Sequence, residues 1–124
     1  MSQDIISDAL NNIMNAKKSG KIELKIAKFS NVLNRVLEIA KKEGYIESFK
    51  VEDKKMEIKI GKLIECKSIK PRHNVSVSEI DKYMRRYLPA RGIGIIIIST
   101  NKGLMTHAEA LEQNIGGVLI AYFY

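Results

Sequence analysis

The stretch that most constrains the fold is Ile95–Ile98, a run of four isoleucines in the second half of the chain. β-branched residues favour extended backbone, and an apolar run without polar alternation predicts a strand that is buried on both faces. The run ends abruptly in five small or polar residues, 99–103. We therefore expect a surface loop held by a rigid strand, an arrangement that is common at recognition sites.

A short helix is predicted after this loop. Thr106 and Glu109 have the Thr-x-x-Glu spacing of a capping box, in which two residues satisfy each other's backbone groups at a helix start. Gly116 and Gly117 end this helix and lead into a second apolar run, residues 118–124. The alternation of that run predicts a core strand, although its aromatic residues leave open a reading as a protein-interaction module.

The first 62 residues predict the order α-β-α-β-β. Apolar residues at helical spacing indicate two helices, of which Asp4 or Ser2 would cap the first and Ser30 the second. Alternating apolar residues indicate three strands, and both Ile22 and Val32 are predicted to face the core. The predicted elements are helices over residues 4–18 and 31–42 and strands over residues 21–27, 45–51 and 56–60.

The second half predicts strands with two short helices. Residues 63–74 form a connector that continues as an edge strand, because Pro71 lacks the amide donor that a central strand needs. Ser76 and Glu79 form another capping box, at the start of a helix that extends to Tyr87.

Together these patterns predict an α+β fold of two small lobes. The N-terminal lobe, residues 1–64, has the order α-β-α-β-β, and the C-terminal lobe, residues 65–124, is mainly β with short helices and carries the polar loop. No flexible linker separates them, so we expect the lobes to pack together.

Charge and composition limit the classes of function. The chain has 21 Lys and Arg against 14 Asp and Glu, and its formal net charge of +7 favours a polyanionic partner, either nucleic acid or an anionic membrane. No stretch approaches the roughly 18 apolar residues of a membrane span, so we expect no membrane-spanning segment. Cys66 is the only cysteine, which excludes an internal disulfide and favours a reducing cytoplasm.

The sequence shows no residue spacing that is typical of a catalytic site or a metal site. Ser99, Thr100 and His107 could be read as nucleophiles and a base, but no acidic residue is placed to orient the histidine. We therefore predict that His107 is a surface residue in the first turn of its helix. His73, His107 and Cys66 do not have the spacing of a structural zinc site, and no phosphate-binding glycine motif occurs. We expect no enzymatic activity, cofactor, metal or small-molecule substrate.

The chemistry of the loop suits RNA. Ser99 and Thr100 carry hydroxyls and Asn101 an amide, groups that both donate and accept hydrogen bonds. Such groups match the 2′-hydroxyls and base edges of an RNA minor groove. Lys102 would contact phosphate, Gly103 would allow close approach of the backbone, and the helix start would offer free N–H groups. From the residues alone, an ordinary strand-to-helix turn is an equally good reading.

Basic residues occur in both lobes, so a polyanion could lie across both. Lysines cluster within residues 17–28, and arginines cluster within residues 85–91. The alternative for any single lysine is a solvated surface position, which is the usual environment of charged residues.

Residues 99–107 read Ser-Thr-Asn-Lys-Gly-Leu-Met-Thr-His, and a Gly-Gly pair and an aromatic C-terminus follow. This run resembles the signature Ser-Thr-Ser-x-Gly-hydrophobic-Met-Ser/Thr of the family of small-subunit ribosomal protein eight. Residues 66–72, with Cys66 and Ile69-Lys70-Pro71-Arg72, resemble the archaeal and eukaryotic branch. The resemblance covers nearly the whole chain in order. Further matches are Asp4, Asn15-Ala16, residues 43–49 and Arg86-Tyr87-Leu88-Pro89.

The resemblance implies a two-lobed protein of the cytoplasmic small ribosomal subunit. It implies direct binding to the central domain of small-subunit rRNA early in assembly, beside neighbouring ribosomal proteins, and no enzymatic activity. The contacts would lie at the loop, at its flanks and at the first two helices. The RNA-binding residues it implies are Ser99, Thr100, Asn101, Lys102, Gly103, Met105, Thr106, Tyr87, Gly116, Gly117, Asn15, Ser30 and Lys28.

Two positions depart from the family pattern. The third loop residue is usually serine, whereas Asn101 is longer and could alter one base contact. The family's Pro-x-Ser-Lys before the second helix is Lys28-Phe29-Ser30-Asn31 here, which weakens the first-lobe contact unless Lys28 restores the charge from a neighbouring position. An alternative function is translational autoregulation through binding of its own messenger RNA, for which the bacterial relatives are known.

Overall fold

The computed structural model describes residues 5–27, 29–70, 72, 74–90 and 92–124. The chain forms two compact units, Met1–Lys67 and Ser68–Tyr124, whereas the sequence placed the boundary after residue 64. Each unit combines helices with a β-sheet, which confirms the predicted α+β class.

The first unit has the predicted order α-β-α-β-β. Its helices are α1 (Ile5–Lys18) and α2 (Asn31–Lys42), and its strands are β1 (Glu23–Ile26), β2 (Ile46–Glu52) and β3 (Lys55–Ile60). The strands form an antiparallel sheet in the order β1-β3-β2. The buried core of this unit includes Leu10, Ile13, Leu33, Leu37, Met56 and Ile58, all at 0% exposure.

Local signals define the ends of these elements. Ser30 caps α2 as predicted, because its hydroxyl accepts a hydrogen bond from a backbone N–H in the first helical turn at 3.2 Å. The predicted caps of α1, Asp4 and Ser2, lie outside the described residues. The prediction that Ile22 and Val32 face the core is wrong, since they are 66% and 47% exposed. Ile22 precedes the first paired residue of β1, and Val32 points outward in the first turn of α2.

The second unit is built on a five-stranded sheet. Its elements are β4 (Cys66–Ser68), β5 (Asn74–Val75), α3 (Val77–Tyr87), β6 (Ile95–Thr100), β7 (Gly103–Thr106), α4 (His107–Gln113) and β8 (Gly117–Phe123). The strand order is β4-β8-β6-β7, with β5 also paired to β8. The boundary between the units falls within β4.

Both predicted capping boxes form. The N–H of Ser76 donates to Glu79 Oε1 at 3.0 Å at the start of α3. At the start of α4, the Thr106 hydroxyl accepts from the Glu109 N–H at 3.3 Å. None of the helices within the described residues has both the length and the apolar character needed to cross a membrane.

The segment after Ile98 differs from the predicted loop. β6 continues for two more residues, and Gly103–Thr106 pairs with it as β7, so the polar residues belong to a hairpin. The apolar part of β7 is only Leu104 and Met105, which is too short to stand out as a strand in the sequence. The predicted loop is therefore reduced to a two-residue turn, Asn101 and Lys102.

The centre of the sheet is apolar on both faces. Ile95–Ile98 are between 0% and 5% exposed, as the continuous isoleucine run predicted. β8 lies between β6 and the edge strands β4 and β5, and its residues 119–123 are all buried. The C-terminal segment is therefore a core strand, as its alternation predicted.

Candidate nucleic-acid interface

A tight turn closes the hairpin of β6 and β7. Thr100 pairs with Gly103, which leaves Asn101 and Lys102 as the turn residues. The Thr100 hydroxyl donates to the Gly103 carbonyl oxygen at 2.8 Å and accepts from the Lys102 N–H at 3.1 Å. Gly103 has a φ of +105°, a region that glycine enters without steric cost. Because its only donor is used within the turn, the Thr100 hydroxyl mainly fixes the turn.

The turn presents polar groups to solvent. Asn101, Lys102 and Gly103 are exposed, and Ser99 and Thr100 are half-buried at the end of β6. Within the described part of the chain, no hydrogen bond engages the Ser99 hydroxyl. We refer to residues 99–103 as the hairpin tip. Its available groups are the Ser99 hydroxyl, the Asn101 amide and the Lys102 ammonium.

Two glycines allow the neighbouring strands to approach the hairpin tip. A Cβ atom at Gly117 would lie 2.2 Å from the Ser99 carbonyl oxygen, and one at Gly116 would lie 2.3 Å from the Val75 carbonyl oxygen. Because Cβ atoms essentially never come this close to another heavy atom, both positions require glycine. Gly117 therefore lies directly against Ser99, and the ends of β5, β6 and β8 meet beside the tip.

Met105 and Thr106 are buried behind the hairpin tip. Met105 is 5% exposed and packs in the core cluster of the second unit. Thr106 is 6% exposed, and its hydroxyl is occupied in the capping box of α4. These positions give the two side chains supporting roles. At the start of α4 the Glu109 N–H is not open to a ligand, because it donates to the Thr106 hydroxyl, and a role of the other first-turn amides toward RNA stays a prediction.

His107 is buried, so the prediction of a surface position is wrong. It is 8% exposed, and its Nδ1 accepts a hydrogen bond from the Ile96 N–H at 3.1 Å. β7 ends at Thr106, opposite Ile97. The Ile96 N–H lies just beyond this end of β7, so it needs an acceptor that is not a carbonyl of that strand. Burial lowers the pKa of His107 below its usual 6.5 and so favours the neutral imidazole that can accept this bond.

Tyr87 lies away from the hairpin tip. Its ring centroid is 5.4 Å from that of Tyr122, and Tyr122 pairs with Ile96 on β6. Ser99 is three residues further along β6, which corresponds to about 10 Å at about 3.3 Å per strand residue. The structure thus brings Gly116 and Gly117 to the tip but sets Tyr87 apart from it.

Two of the implied RNA contacts, Asn15 and Ser30, lie on α1 and directly before α2. Asn15 is exposed on α1, one turn before the helix ends in Lys17 and Lys18. Ser30 uses its hydroxyl as an acceptor in the cap of α2, which leaves the hydroxyl hydrogen for a ligand. Lys28 lies outside the described residues. The roles of these residues toward RNA stay predictions.

Neighbouring acids already engage some of the basic side chains. Arg85 forms an ion pair with Asp81, and this contact raises the pKa of the guanidinium. Lys50 pairs with Glu52 at 3.2 Å. Lys102 has no carboxylate within ion-pairing distance among the described residues, so its ammonium is better placed to meet a phosphate. In the same part of the chain, no group of three or more His, Cys, Asp or Glu could hold a metal ion.

Comparison with known proteins decides the family. The profile of the family described as ribosomal protein S8 matches residues 4–124. The chain belongs to the ribosomal protein S8 family. A relative in Nanoarchaeum equitans, the small ribosomal subunit protein uS8, is 43% identical over 129 aligned residues that cover the whole of both chains. The small ribosomal subunit protein uS8 of Picrophilus torridus is 41% identical, again over the whole of both chains. These relatives confirm the resemblance inferred from the motifs.

Some features of this S8-family protein had signals that the sequence reading did not use. Tyr83 and Tyr87 are four residues apart on α3, and Tyr122 and Tyr124 are two apart on β8 and its end, which are the spacings that place residues on one face. These four rings stack in the structure. The role of His107 had no comparable signal, because it depends on where β7 ends.

Proposed function

We propose that this chain is a structural constituent of the small ribosomal subunit that binds the central domain of small-subunit rRNA directly through the hairpin tip and aids its assembly. The N. equitans and P. torridus relatives, small ribosomal subunit proteins by name, support this role. Its homologues are structural ribosomal proteins, and the family is not known to be enzymatic, so the proposed role involves no catalysis.

The observation that carries the proposal is the polar surface of the hairpin tip. The Ser99 hydroxyl and the Asn101 amide can each donate to and accept from 2′-hydroxyls and base edges in the shallow minor groove of an RNA helix. The exposed Lys102 ammonium would pair with a phosphate beside that groove. The Ser99 hydroxyl and the Asn101 amide would thus recognise the shape of the RNA helix, and the Lys102 ammonium would contribute electrostatic affinity.

Rigidity of the tip supports the same role. The Thr100 hydroxyl holds the turn from within, and the buried Met105 and Thr106 anchor the second strand. Groups that are fixed before binding lose less conformational entropy when RNA is bound. The tip therefore needs few contacts to bind a folded RNA with useful affinity.

Single substitutions separate the two kinds of contact. Ser99→Ala removes a hydroxyl that no described residue uses, so affinity for a central-domain rRNA fragment should fall about 2- to 10-fold while the fold persists. Lys102→Gln should reduce the slope of log affinity against log salt by about one unit. Ser99 is changed without Thr100, because loss of the Thr100 hydroxyl would also disturb the turn.

Lys54→Gln is the matched control. Lys54 is also the second residue of a two-residue hairpin turn, between β2 and β3, but it follows Glu52 and Asp53, which repel phosphate. Its substitution should leave both affinity and salt slope unchanged. Binding would be measured by fluorescence anisotropy against labelled fragments of the central domain and of the other domains of small-subunit rRNA. Equal affinity for all domains, or no effect of Ser99→Ala, would contradict the proposal.

A further inference from the structure

Four tyrosines of the second unit form a continuous stack, which we name the tyrosine row: Tyr83, Tyr87, Tyr122 and Tyr124. The successive ring centroids are 6.3, 5.4 and 5.9 Å apart, and the interplanar angles are 11°, 23° and 9°. These values lie in the range of offset-stacked aromatic pairs. The row joins α3 to β8 and is distinct from the hairpin tip.

The row is only partly buried. Tyr122 is 8% exposed, whereas the other three rings are half-buried and pack against the core cluster from outside. Tyr83, at one end of the row, packs against the core cluster with one part of its side chain and keeps another part in contact with solvent. An aromatic face is therefore presented at the surface.

Cations lie over this aromatic surface. The Lys82 ammonium is 5.7 Å from the centroid of Tyr83, and the Arg86 guanidinium is 5.6 Å from the centroid of Tyr87. Both cationic side chains are exposed. The neighbouring Asp81 is already paired with Arg85, so its charge does not neutralise them. The surface combines flat π-faces with positive charge.

We propose that the Tyr83 end of the tyrosine row is a second RNA contact, which stacks an unpaired base on the Tyr83 ring while Lys82 and Arg86 bind the flanking phosphates. This inference rests on the proposed RNA binding but concerns a different surface and a different RNA structure. Aromatic rings interleaved with cations are the chemistry by which proteins hold single-stranded nucleic acid. An incoming base replaces the ammonium over Tyr83, and the displaced Lys82 then pairs with phosphate, so no cation loses its partner.

The composition of the chain provides a direct probe. It contains five tyrosines and no tryptophan, and four of the five lie in the row. In a Tyr45→Phe background, all intrinsic tyrosine fluorescence comes from the row. Titration with single-stranded oligoadenylate of about eight nucleotides should quench this fluorescence, because bases stack on the rings. An RNA duplex of equal length offers no unpaired base and should quench much less.

Two substitutions at one position test the mechanism. Tyr83→Leu keeps an apolar side chain against the core but removes the π-face, so oligoadenylate should bind about 5- to 150-fold more weakly, measured by anisotropy of labelled RNA. Tyr83→Phe keeps the π-face and should restore full affinity. Thermal unfolding of each variant would verify that the fold is retained.

The outcomes separate this inference from the proposed function. Unchanged oligoadenylate affinity in folded Tyr83→Leu, or no binding of single-stranded RNA by the parent protein, overturns the second contact whatever Ser99→Ala does to binding of the rRNA fragment. Loss of oligoadenylate binding in Tyr83→Leu but not in Ser99→Ala supports it. Absence of quenching by every RNA tested also overturns the second contact.

Discussion

Replacing Gly117 by alanine tests whether the close approach of β8 to β6 positions the hairpin tip. The new Cβ atom would lie 2.2 Å from the Ser99 carbonyl oxygen and 2.9 Å from Ile98 Cγ2, whereas ordinary contacts begin at 3.4 Å. The carbonyl belongs to the backbone of a paired strand, so no flexible side chain can move aside. The backbone of β6 or β8 must therefore shift by about 1 Å, which a closely packed interior resists.

The expected cost follows from two effects. Overpacking of a well-packed site costs about 1–3 kcal/mol. Separation of the pair between Ser99 and Val118 weakens strand hydrogen bonding, which adds about 1 kcal/mol. The free energy of unfolding should thus fall by about 2–4 kcal/mol, from a typical total of about 5–15 kcal/mol. The variant should remain folded, with Ser99 displaced.

Equilibrium denaturation in guanidinium chloride would measure the stability, and anisotropy would measure binding to the central-domain fragment. Gly117→Ala should weaken RNA binding at a temperature where the variant is fully folded, because the displaced Ser99 hydroxyl no longer meets its partner. Val118→Ala is the matched control, since it changes the next residue of β8 without a clash and should cost only about 1 kcal/mol. A free energy of unfolding for Gly117→Ala within 0.5 kcal/mol of the parent protein would refute the steric argument.

Two titratable side chains give further expectations. The pKa of His107 is lowered in the folded state from its usual 6.5. Below pH 6.5 the unfolded chain therefore binds more protons than the folded protein. The free energy of unfolding should fall as the pH decreases from 6.5 to the folded pKa, by at most about 1.4 kcal/mol per pH unit. His107→Asn keeps an acceptor for the Ile96 N–H but removes the titratable group, so the free energy of unfolding of this variant should depend less on pH. If it changed between pH 7.5 and 5 as much as that of the parent protein, the role of His107 would be contradicted. Burial raises the pKa of Cys66 to about 12 from 9.0, so stability should be fully present below pH 9 and decrease from there toward pH 12. Alkylation of Cys66 by iodoacetamide at neutral pH should therefore proceed only at the rate of unfolding, and rapid labelling of the native protein would count against its burial.

Sequence reasoning reached the elements whose signals are local. The capping boxes at Ser76 and Thr106 predicted two helix starts, because each involves residues only three positions apart. The isoleucine run predicted a strand buried on both faces, since four consecutive apolar side chains must occupy both sides of a sheet. Such features depend little on the rest of the chain.

The errors arose where a distant partner decides the structure. Gly103–Thr106 becomes a strand only because β6 lies beside it, and its turn lacks the Asn-Gly pair that most strongly marks a hairpin. His107 appeared to be a surface residue, but it is buried because it satisfies an amide of β6. Periodicity within one segment cannot reveal that a neighbouring strand has ended.

The structure also assigns different roles to the residues of the proposed RNA-binding motif. Residues 99–106 span the eight positions of the family signature, but the structure divides them by role. Thr100, Met105 and Thr106 hold the turn or pack behind it, so substitutions there should affect stability first and binding only as a consequence. Ser99, Asn101 and Lys102 remain as groups that can meet RNA without any rearrangement of the hairpin. A motif that matches a family signature can therefore be mostly scaffold, and a test of direct contact should be confined to the three side chains whose polar groups have no partner among the described residues.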